Sequence, residues 1–555
     1  MSYQLWIARS TDYHGWFHQN AFGRCFFART AALPMGREIC AAGTPTGMAL
    51  TNVEHVVVLM LENRSLDNLL GYLYTPTSLP NVTPGNPPFD GLAFGGPYSN
   101  PDGQGAAVNA GSPTGTWPPA KNPHVVPYPD PGEPFDDVTQ QVANGAMTGF
   151  VQNYLSQKGV TTANASQIMQ NYSPQQLTVL GALAKAFAVS DGWFCSMPTQ
   201  TWPNRAFVHA GSSQGNVVNA PYLPYTIDTV YNVLDSLGIS WNIFHDTLYT
   251  PSLTQLQFLR LWDSANVFRF GEFQTRCNRP ANAPPDEKLP AYSFIEPRFI
   301  AEREILDPFK VEHSEDYHPP NNVIHGEAFV AKVYDTIRTC PYRDRILFII
   351  TFDEHGGTYD HVAPPTNAQP PNPDPIAKNG FDYSRFGVRV PTIVISDYVQ
   401  AGSVFRSSTG TPFDHTSILA TLRDWLGIAG NAFFTQNPRI SAAPTLATLL
   451  ENAPVNATWP TVAPNWSAPS KHSFQAEAAL VLEEVLELPA DDLEHSIVEI
   501  TEQYMRYKRS RGARKPATIE SHLATAFAPL EKRLVLHPRR RDEMERLREI
   551  VIGDV

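Results

Sequence analysis

Short apolar runs alternate with helical patterns through the middle of the chain. Residues 55–61 and 346–352 are almost continuously apolar, which is typical of strands buried on both faces of a sheet. A third run of the same kind lies at residues 391–395, and a weaker fourth run lies at residues 240–244. Helical periodicity is found between and after these runs, over residues 176–187, 227–237, 327–338 and 417–426. The alternation predicts an α/β fold with a central, mostly parallel sheet flanked by helices.

The chain divides into three predicted zones. Residues 1–51 form an N-terminal extension without a clear pattern, and residues 52–455 carry the strands and helices of a main domain. Over residues 470–555 charged side chains become frequent and the pattern turns helical. Because 555 residues are enough for more than one domain, we predict a helical C-terminal extension beside the main domain.

The C-terminal extension is predicted to contain amphipathic helices. One covers residues 474–488, and Asp491 or Asp492 caps a second one. Lysine and arginine then cluster at residues 506–511, and three arginines follow at 539–541. Either the extension is a solvated helical appendage, or its basic clusters contact an anionic membrane or another subunit.

Composition and charge narrow the class of protein. The net charge is −13, with 41 lysines and arginines against 54 aspartates and glutamates, which argues against nucleic-acid binding. No apolar run is long enough to span a membrane, and no signal-peptide-type segment is found near the N-terminus. Five scattered cysteines indicate neither a disulfide framework nor a zinc finger. These features favour the cytoplasm or the periphery of a membrane, with secretion or the periplasm as the alternative.

Residues with oxygen ligands follow the first predicted strand directly. Glu62 and Asn63 come after residues 55–61, at the carboxyl end of a strand, where α/β folds place their functional loops. Carboxylate and amide oxygens suit Mg²⁺, Ca²⁺ or Mn²⁺. The alternative is that the segment only caps the next helix, since Asn and Ser favour that position.

The strand at residues 346–352 is followed by a denser polar segment. It contains two adjacent carboxylates, Asp353 and Glu354, and then two glycines. Adjacent carboxylates at the exit of a buried strand repel each other unless a cation lies nearby, and glycine lets backbone approach such a site closely. We interpret the segment as a second part of a metal site; the alternative is an ordinary polar turn.

Thr201 is predicted to stand at the beginning of a helix. It is followed by Pro203 and then by an apolar helical pattern, and proline is common at the start of a helix. A helix N-terminus attracts phosphate through its free N–H groups and its dipole. The hydroxyl group of Thr201 would then lie where a phosphoryl group binds, unless Thr201 is simply a helix cap.

Four histidines are candidates for proton transfer or phosphate binding. Breaking a phosphoester requires a proton for the leaving group, and histidine can donate or accept one at neutral pH. We predict His318 as the catalytic histidine. The predicted phosphate-binding histidines are His245, His355 and His361, at the ends of strands or in loops.

Four segments together resemble a phosphoesterase family that contains bacterial phospholipases C, plant non-specific phospholipases C and certain acid phosphatases. The family signatures are E-N-R-S-F-D, T-x-P-N-R, D-E-H-G-G-x-x-D-H-V and G-x-R-V-P. Here they stand at residues 62–67 (with Leu66 in place of Phe), 201–205, 353–362 and 387–391. The matches occur in the family order within about residues 52–430, so the main domain resembles a phosphoesterase catalytic domain.

The resemblance implies an alkaline-phosphatase-like sandwich that holds one divalent metal ion. By similarity the metal ligands are Glu62, Asn63, Thr201, Asp353 and Glu354. Thr201 is also the implied nucleophile, and it would form a phosphothreonine that water later hydrolyses. A metal ion would lower the pKa of the hydroxyl group and offset the charge of the phosphate.

One segment departs from the family pattern. Where the family has D-P-x-H, with the histidine facing the phosphate, this chain reads Asp130-Pro131-Gly132-Glu133. Glu133 therefore takes the place of a phosphate-binding residue. Its carboxylate would repel phosphate unless it were protonated or bound to a second cation.

The predicted reaction is hydrolysis of a phosphodiester in a phospholipid. A broad-specificity acid phosphatase acting on small phosphomonoesters is the first alternative, and a catalytically weakened binding protein is the second. Phe268, Phe270 and Phe273 would favour a lipid-facing entrance, unless they belong to the core.

Overall fold

The computed structural model describes residues 49–111, 124–219, 227–246, 266–299, 302–303 and 311–465. The helices predicted beyond residue 470 and nearly all of the predicted N-terminal extension lie outside these residues. Within the described stretches, every helix is too short or too polar to cross a membrane.

A sheet of eight strands forms the centre of the described chain. The described residues contain twelve strands, and eight of them form this sheet. The twelve strands are β1 (His55–Leu61), β2 (Ser99–Pro101), β3 (Ala107–Asn109), β4 (Ala188–Ser190), β5 (Trp241–His245), β6 (Val267–Arg269), β7 (Tyr292–Glu296), β8 (Glu302–Arg303), β9 (Val311–Glu312), β10 (Ile346–Phe352), β11 (Thr392–Ile395) and β12 (Ser403–Phe405). The order across the sheet is β12-β4-β11-β10-β1-β7-β5-β6. Strands β2 and β3 form a separate two-stranded ribbon, and β8 and β9 form another.

The strand directions confirm the mostly parallel sheet that the sequence predicts. Strand β1 runs parallel to β10 on one side and to β7 on the other, and β5 runs parallel to β7 and β6. Strand β11 runs antiparallel to both of its neighbours, β10 and β4. The two central strands are buried along their whole length, as their continuous apolar sequences indicate.

The helices that flank this sheet include those predicted from sequence. They are α1 (Leu66–Leu70), α2 (Phe135–Val142), α3 (Phe150–Ser156), α4 (Thr178–Ala186), α5 (Thr201–Ala210), α6 (Val230–Ser236), α7 (Phe270–Cys277), α8 (Val323–Arg338), α9 (Thr416–Leu426), α10 (Ala432–Thr435) and α11 (Pro438–Ala442). The patterns at 176–187, 227–237, 327–338 and 417–426 correspond to α4, α6, α8 and α9. The fold class predicted from sequence is therefore confirmed.

Two of the aromatic residues that suggested a lipid-facing entrance belong to the core instead, whereas Phe268 is half-buried. Phe270 and Phe273 lie at the beginning of α7, are fully buried, and stack on each other with ring centroids 5.5 Å apart. Phe273 also packs edge-on against Phe244 of β5. Their burial gives a structural reason for their apolar character, so the lipid-facing interpretation of these two residues is wrong.

Truncating a side chain in the central sheet should destabilise the fold strongly. Leu347 in β10 is fully buried, so Leu347→Ala removes buried methyl groups and leaves a cavity, at a cost of roughly 2–5 kcal/mol in the free energy of unfolding. Leu79 is 55% exposed, and Leu79→Ala should change that free energy by less than about 0.5 kcal/mol. Urea denaturation of both variants measures the difference; similar losses for the two would contradict the description of β10 as core.

Candidate active site

The parallel pairing of β1 and β10 brings two acidic residues together. Leu61 lies opposite Phe352 in the register, so the next residues, Glu62 and Asp353, leave neighbouring strands at the same level. The backbone N–H of Asp353 donates to the carbonyl of Leu61 (3.2 Å), and the N–H of Asn63 donates to Asp353 Oδ1 (3.1 Å). Glu62, Asn63 and Asp353 are all fully buried. The carboxyl edge of the sheet thus carries a buried acidic pair.

Glu62 and Asn63 are not caps of the following helix. Ser65 caps α1, because its hydroxyl oxygen accepts from the N–H of Asn68 at 3.1 Å. Asn63 has a φ of 53°, in the left-handed region that asparagine tolerates better than most residues. This backbone bend separates the end of β1 from the start of α1, so the side chains of Glu62 and Asn63 belong to the site.

Thr201 lies at the same acidic edge. It is the first residue of α5, and Gln200 occupies the N-cap position, so Thr201 lies next to the cap and does not serve as it. Its hydroxyl group can donate to Glu62 Oε2 at 3.1 Å or to Asn63 Oδ1 at 3.2 Å. The structure therefore brings Thr201 within hydrogen-bond distance of two of its predicted co-ligands, across nearly 140 residues of chain.

Arg205 joins this cluster, and it is a residue that the predicted site lacked. It donates from Nε and Nη2 to Glu62 Oε1 (2.9 and 2.5 Å), from Nε to Asp353 Oδ2 (3.2 Å), and from Nη1 to Glu296 Oε1 (3.2 Å). Arg205 follows Thr201 by four residues, so both lie on the same face of α5. That spacing within the T-x-P-N-R segment was the signal available in the sequence.

The carboxylates carry more negative charge than Arg205 offsets. Burial, and then the charge of Glu62, raises the pKa of Asp353 to about 7. Burial, followed by the charge of Glu133, raises the pKa of Glu354 well above its ordinary value. Glu354 Oε1 is buried and has no hydrogen-bond partner. A divalent cation fits such a set of oxygens, because it would offset their repulsion and use the free lone pairs.

His318 lies between the predicted metal ligands and a second acidic group. Its Nδ1 is 3.6 Å from Glu62 Oε2, whereas its Nε2 is 3.2 Å from Glu133 Oε1 and 3.5 Å from Asp130 Oδ1. Asn63 Nδ2 donates to Glu133 Oε1 at 2.5 Å. Asn63 therefore contacts Glu133 through its Nδ2 and faces Thr201 with its Oδ1. Glu133 lies beside the predicted site, where the resemblance to the D-P-x-H segment leads us to expect it.

The backbone beside His318 is strained. Tyr317 has a φ of 78°, which is unusual for a bulky residue, and its hydroxyl group donates to Glu327 Oε1 at 2.9 Å. The N–H of His318 donates to Asp316 Oδ1 at 3.0 Å. Strain of this kind persists where surrounding contacts fix the conformation, and it is common at functional sites.

His245 and His355 are placed differently from His318. His355 is fully buried, and its Nε2 lies 2.8 Å from Gln141 Oε1 while its Nδ1 lies 3.3 Å from Glu354 Oε2. Burial lowers the pKa of His355 to about 3, and its ring lies between Gln141 and Glu354. His245 ends β5, two strands away from β1, opposite Glu296 in the register.

His361 belongs to a second ionic cluster. Its Nδ1 lies 2.6 Å from Asp67 Oδ2 and its Nε2 lies 3.2 Å from Asp90 Oδ1. Arg389, from the G-x-R-V-P segment, donates to Asp67 Oδ1 at 3.1 Å and to Asp360 Oδ1 at 3.0 Å. The two cations are paired with these carboxylates, so the structure brings His361 together with Arg389 and places it apart from the hydroxyl group of Thr201.

A surface cavity of about 530 Å³ lies elsewhere on the molecule. Its lining includes Asp228, Asn232 and Phe433, and it contains none of the predicted site residues.

A methyl group at Gly356 should disturb the metal site. Gly356 has a φ of 60°, and a Cβ atom there would lie 2.0 Å from the carbonyl oxygen of Asn63. Gly356→Ala should therefore weaken binding of a divalent cation by at least about tenfold, measured by calorimetric titration. Gly380 has a φ of 88° with open space around it, so Gly380→Ala carries the same backbone strain without the clash and should bind normally. Equal affinities in the two variants would contradict this reading of Gly356.

The His361 cluster should make stability fall with pH in the alkaline range. Burial lowers the pKa of His361, but the charge of Asp67 and the hydrogen bonds to Asp67 and Asp90 outweigh it and raise the pKa to about 9. The stabilisation is complete below the unfolded-state pKa of about 6.5 and is lost as pH rises through 9, with a slope of at most about 1.4 kcal/mol per pH unit. Asp360, with a pKa of about 6, titrates below this window.

Urea denaturation at pH 6.5, 8 and 9.5 measures this slope, and His361→Gln should flatten it. His124→Gln is the control, because burial lowers the pKa of His124 and removes it from the same window. An unchanged slope in His361→Gln would show that another group is responsible.

A solved structure in the alkaline phosphatase superfamily, from Vibrio parahaemolyticus, resembles this chain remotely. The TM-score is 0.30 and the identity 10%, over 49% of this chain and 64% of that chain. A likeness at this level supports no conclusion by itself.

Similar sequences are far more informative. Non-specific phospholipase C3 of Arabidopsis thaliana is 30% identical over 446 residues, which cover 73% of this chain and 77% of that protein. Non-specific phospholipase C6 of the same plant is 33% identical over 400 residues, covering 68% and 69%. Phospholipase C A of Mycobacterium tuberculosis (strain ATCC 25618 / H37Rv) is 28% identical over 443 residues, covering 73% and 79%. Residues 53–429, well over half of the chain, match the Phosphoesterase family. The chain belongs to the phosphoesterase family.

Proposed function

We propose that this phosphoesterase is a divalent-metal-dependent phospholipase C that cleaves a phospholipid phosphodiester through a phosphothreonine at Thr201. The observation that carries the proposal is the position of the Thr201 hydroxyl group, 3.1 Å from Glu62 Oε2 and 3.2 Å from Asn63 Oδ1. A hydroxyl group at a helix N-terminus and among oxygen ligands suits attack on phosphorus.

The oxygens of Glu62, Asn63, Thr201, Asp353 and Glu354 would hold one divalent metal ion. The three carboxylates are fully buried, and the donor set contains only oxygen, which favours Ca²⁺, Mg²⁺ or Mn²⁺. Bound there, such an ion would lower the pKa of the threonine hydroxyl group and offset negative charge on the phosphate. Arg205 would hold Glu62 and Asp353 in place through its hydrogen bonds.

In the proposed reaction Thr201 Oγ attacks phosphorus, and the bond between phosphorus and the glycerol oxygen breaks. Glu62 Oε2 accepts the hydroxyl hydrogen bond and is the nearest acceptor for the proton. The glycerol oxygen takes up a proton, which balances the one that the Thr201 hydroxyl group gives up, and leaves as diacylglycerol. Water then hydrolyses the phosphothreonine, which releases the phosphorylated headgroup and restores Thr201.

The lipid substrate is proposed from the relatives, several of which are named phospholipase C. Because Phe270 and Phe273 are core residues, the described apolar loops give no separate support for lipid binding. An acid phosphatase acting on monoesters needs the same nucleophile and metal ligands, so substrate tests must separate the two activities. The catalytic role of His318 and the phosphate contacts of His245, His355, His361 and Glu133 stay predictions.

Removing the hydroxyl group of Thr201 should abolish hydrolysis. Thr201→Val keeps the shape of the side chain but removes the nucleophile, so turnover of p-nitrophenyl phosphorylcholine should fall by roughly 10³-fold or more. Thr199→Val is the matched control, because the hydroxyl group of Thr199 donates to the carbonyl of Val217 (2.6 Å) rather than to a metal ligand. The wild type should also lose activity with EDTA and regain it with a divalent cation.

The substrates separate the alternatives. Release of diacylglycerol from phosphatidylcholine vesicles, together with activity on the choline ester, supports phospholipase C. Activity on p-nitrophenyl phosphate alone would favour an acid phosphatase, and no hydrolysis of any of the three would indicate a binding protein. Full activity in Thr201→Val would rule out the phosphothreonine.

A further inference from the structure

Asp130, Glu133 and His318 form a compact set of metal-ligand atoms beside Thr201. Each residue offers one such atom, and the three atoms lie within 4.8 Å of one another. Glu133 and His318 are buried, and the Asp130 side chain is 19% exposed. The set therefore lies between the fully buried metal ligands and solvent.

Two buried carboxylate oxygens at this position lack hydrogen-bond partners. Glu133 is only 2% exposed, and its Oε2 has no partner, although its Oε1 contacts Asn63 and His318. Glu354 is fully buried, and its Oε1 has no partner either. An ionised carboxylate whose lone pairs are buried and unused costs several kcal/mol unless a cation or donor satisfies it.

In the cluster around His361, by contrast, the carboxylate oxygens accept hydrogen bonds from other groups of the protein. Asp67 Oδ1 accepts from Arg389 and Asp67 Oδ2 accepts from His361. Asp360 Oδ1 accepts from Arg389 and from the N–H of Val362, and Asp360 Oδ2 accepts from the N–H of Asp67. In that cluster Arg389 and His361 supply the donors and the positive charge that a metal ion would otherwise supply. Glu133 and Glu354 have no arginine of this kind among their described contacts.

We propose that Asp130, Glu133 and His318 bind a second divalent cation next to the first metal site. The proposal rests on the proposed function for the first cation and its ligands. Two carboxylate oxygens and one imidazole nitrogen favour Mn²⁺ or Zn²⁺ over Ca²⁺. The second ion distinguishes this chain from the family pattern, which has histidine in place of Glu133.

Neighbouring side chains already orient the ligands of this second site. Asn63 Nδ2 donates to Glu133 Oε1, which leaves Oε2 for the cation. His318 presents Nε2 to the carboxylates, while Nδ1 points to Glu62 Oε2 at 3.6 Å. With the ion bound, His318 is a ligand and not a proton carrier, which replaces the role that its motif predicts.

The second cation would remove the electrostatic repulsion between Glu133 and an approaching phosphate. Glu133 adds a negative charge near the place where a phosphate must approach Thr201, and a divalent ion offsets that charge together with the charge of Asp130. Because Asp130 is the partly exposed ligand, the ion would lie on the solvent side of the ligand set. Phosphate could then approach Thr201 without repulsion from Glu133.

Metal stoichiometry tests the second site without depending on turnover. The full chain is stripped with EDTA, reloaded with Mn²⁺ and freed of excess metal, and Mn²⁺ per chain is measured by elemental analysis. Two equivalents are expected for the wild type and one for Glu133→Gln, which keeps the shape of the side chain but removes its charge. Asp136→Asn, three residues away on an exposed position, is the control and should keep two.

Electron paramagnetic resonance of the Mn²⁺-loaded wild type gives an independent readout that needs no variant. Because Asn63 and His318 contact both ligand sets, the two ions would be close enough for their spins to couple. One equivalent in the wild type, two in Glu133→Gln, or an uncoupled six-line spectrum at full loading would overturn the second site. Failure of the proposed function appears separately, as two bound Mn²⁺ ions without hydrolysis.

Discussion

The parallel register between β1 and β10 is the constraint on which the site depends. It aligns Leu61 with Phe352, and the next residue on each strand is acidic. A slip of one residue would turn every side chain of the strand to the other face and would separate Glu62 from Asp353. The register is secured by seven buried residue pairs, five of which are apolar on both strands, so the hydrophobic core determines where the carboxylates meet.

Burying these carboxylates has a large electrostatic cost, and α5 supplies part of the compensation. Arg205 bonds three acidic side chains on β1, β7 and β10, and Thr201 lies one helical turn before it. The same ion pairs that hold α5 against the sheet therefore also position the hydroxyl group. Arg205 alone cannot neutralise Glu62, Asp353, Glu296 and Glu354, and this excess of acidic groups is the basis for proposing a divalent ion there.

The sequence predicted the strands that can be recognised from their own apolar residues. It missed strands whose burial depends on packing against distant parts of the chain. Strands β1 and β10 were predicted to the residue because they are buried on both faces and almost continuously apolar. Strand β7 was missed, since Ser293 and Glu296 interrupt its apolar pattern although both are buried by neighbouring strands. The motifs predicted Thr201 and four proposed metal ligands, of which Glu62 and Asn63 lie within hydrogen-bond distance of its hydroxyl group. The sequence could not show which histidines lie near Thr201 and the acidic residues around it. His355 and His361 belong to the same segment of sequence, but they lie in different clusters.

The two acidic clusters show how one scaffold uses buried charge in two ways. Around Arg389, each carboxylate oxygen of Asp67 and Asp360 has a donor from the protein, so the cluster links the loops after β1 and β10 as a structural ion-pair network. Around Thr201, Glu133 and Glu354 each retain an oxygen that the described protein groups leave unused. Most buried polar groups in folded proteins have a hydrogen-bond partner, and that partner can be water or an ion as well as a protein group. The unsatisfied carboxylates, rather than the number of acidic residues, therefore distinguish the chemical site from the structural one.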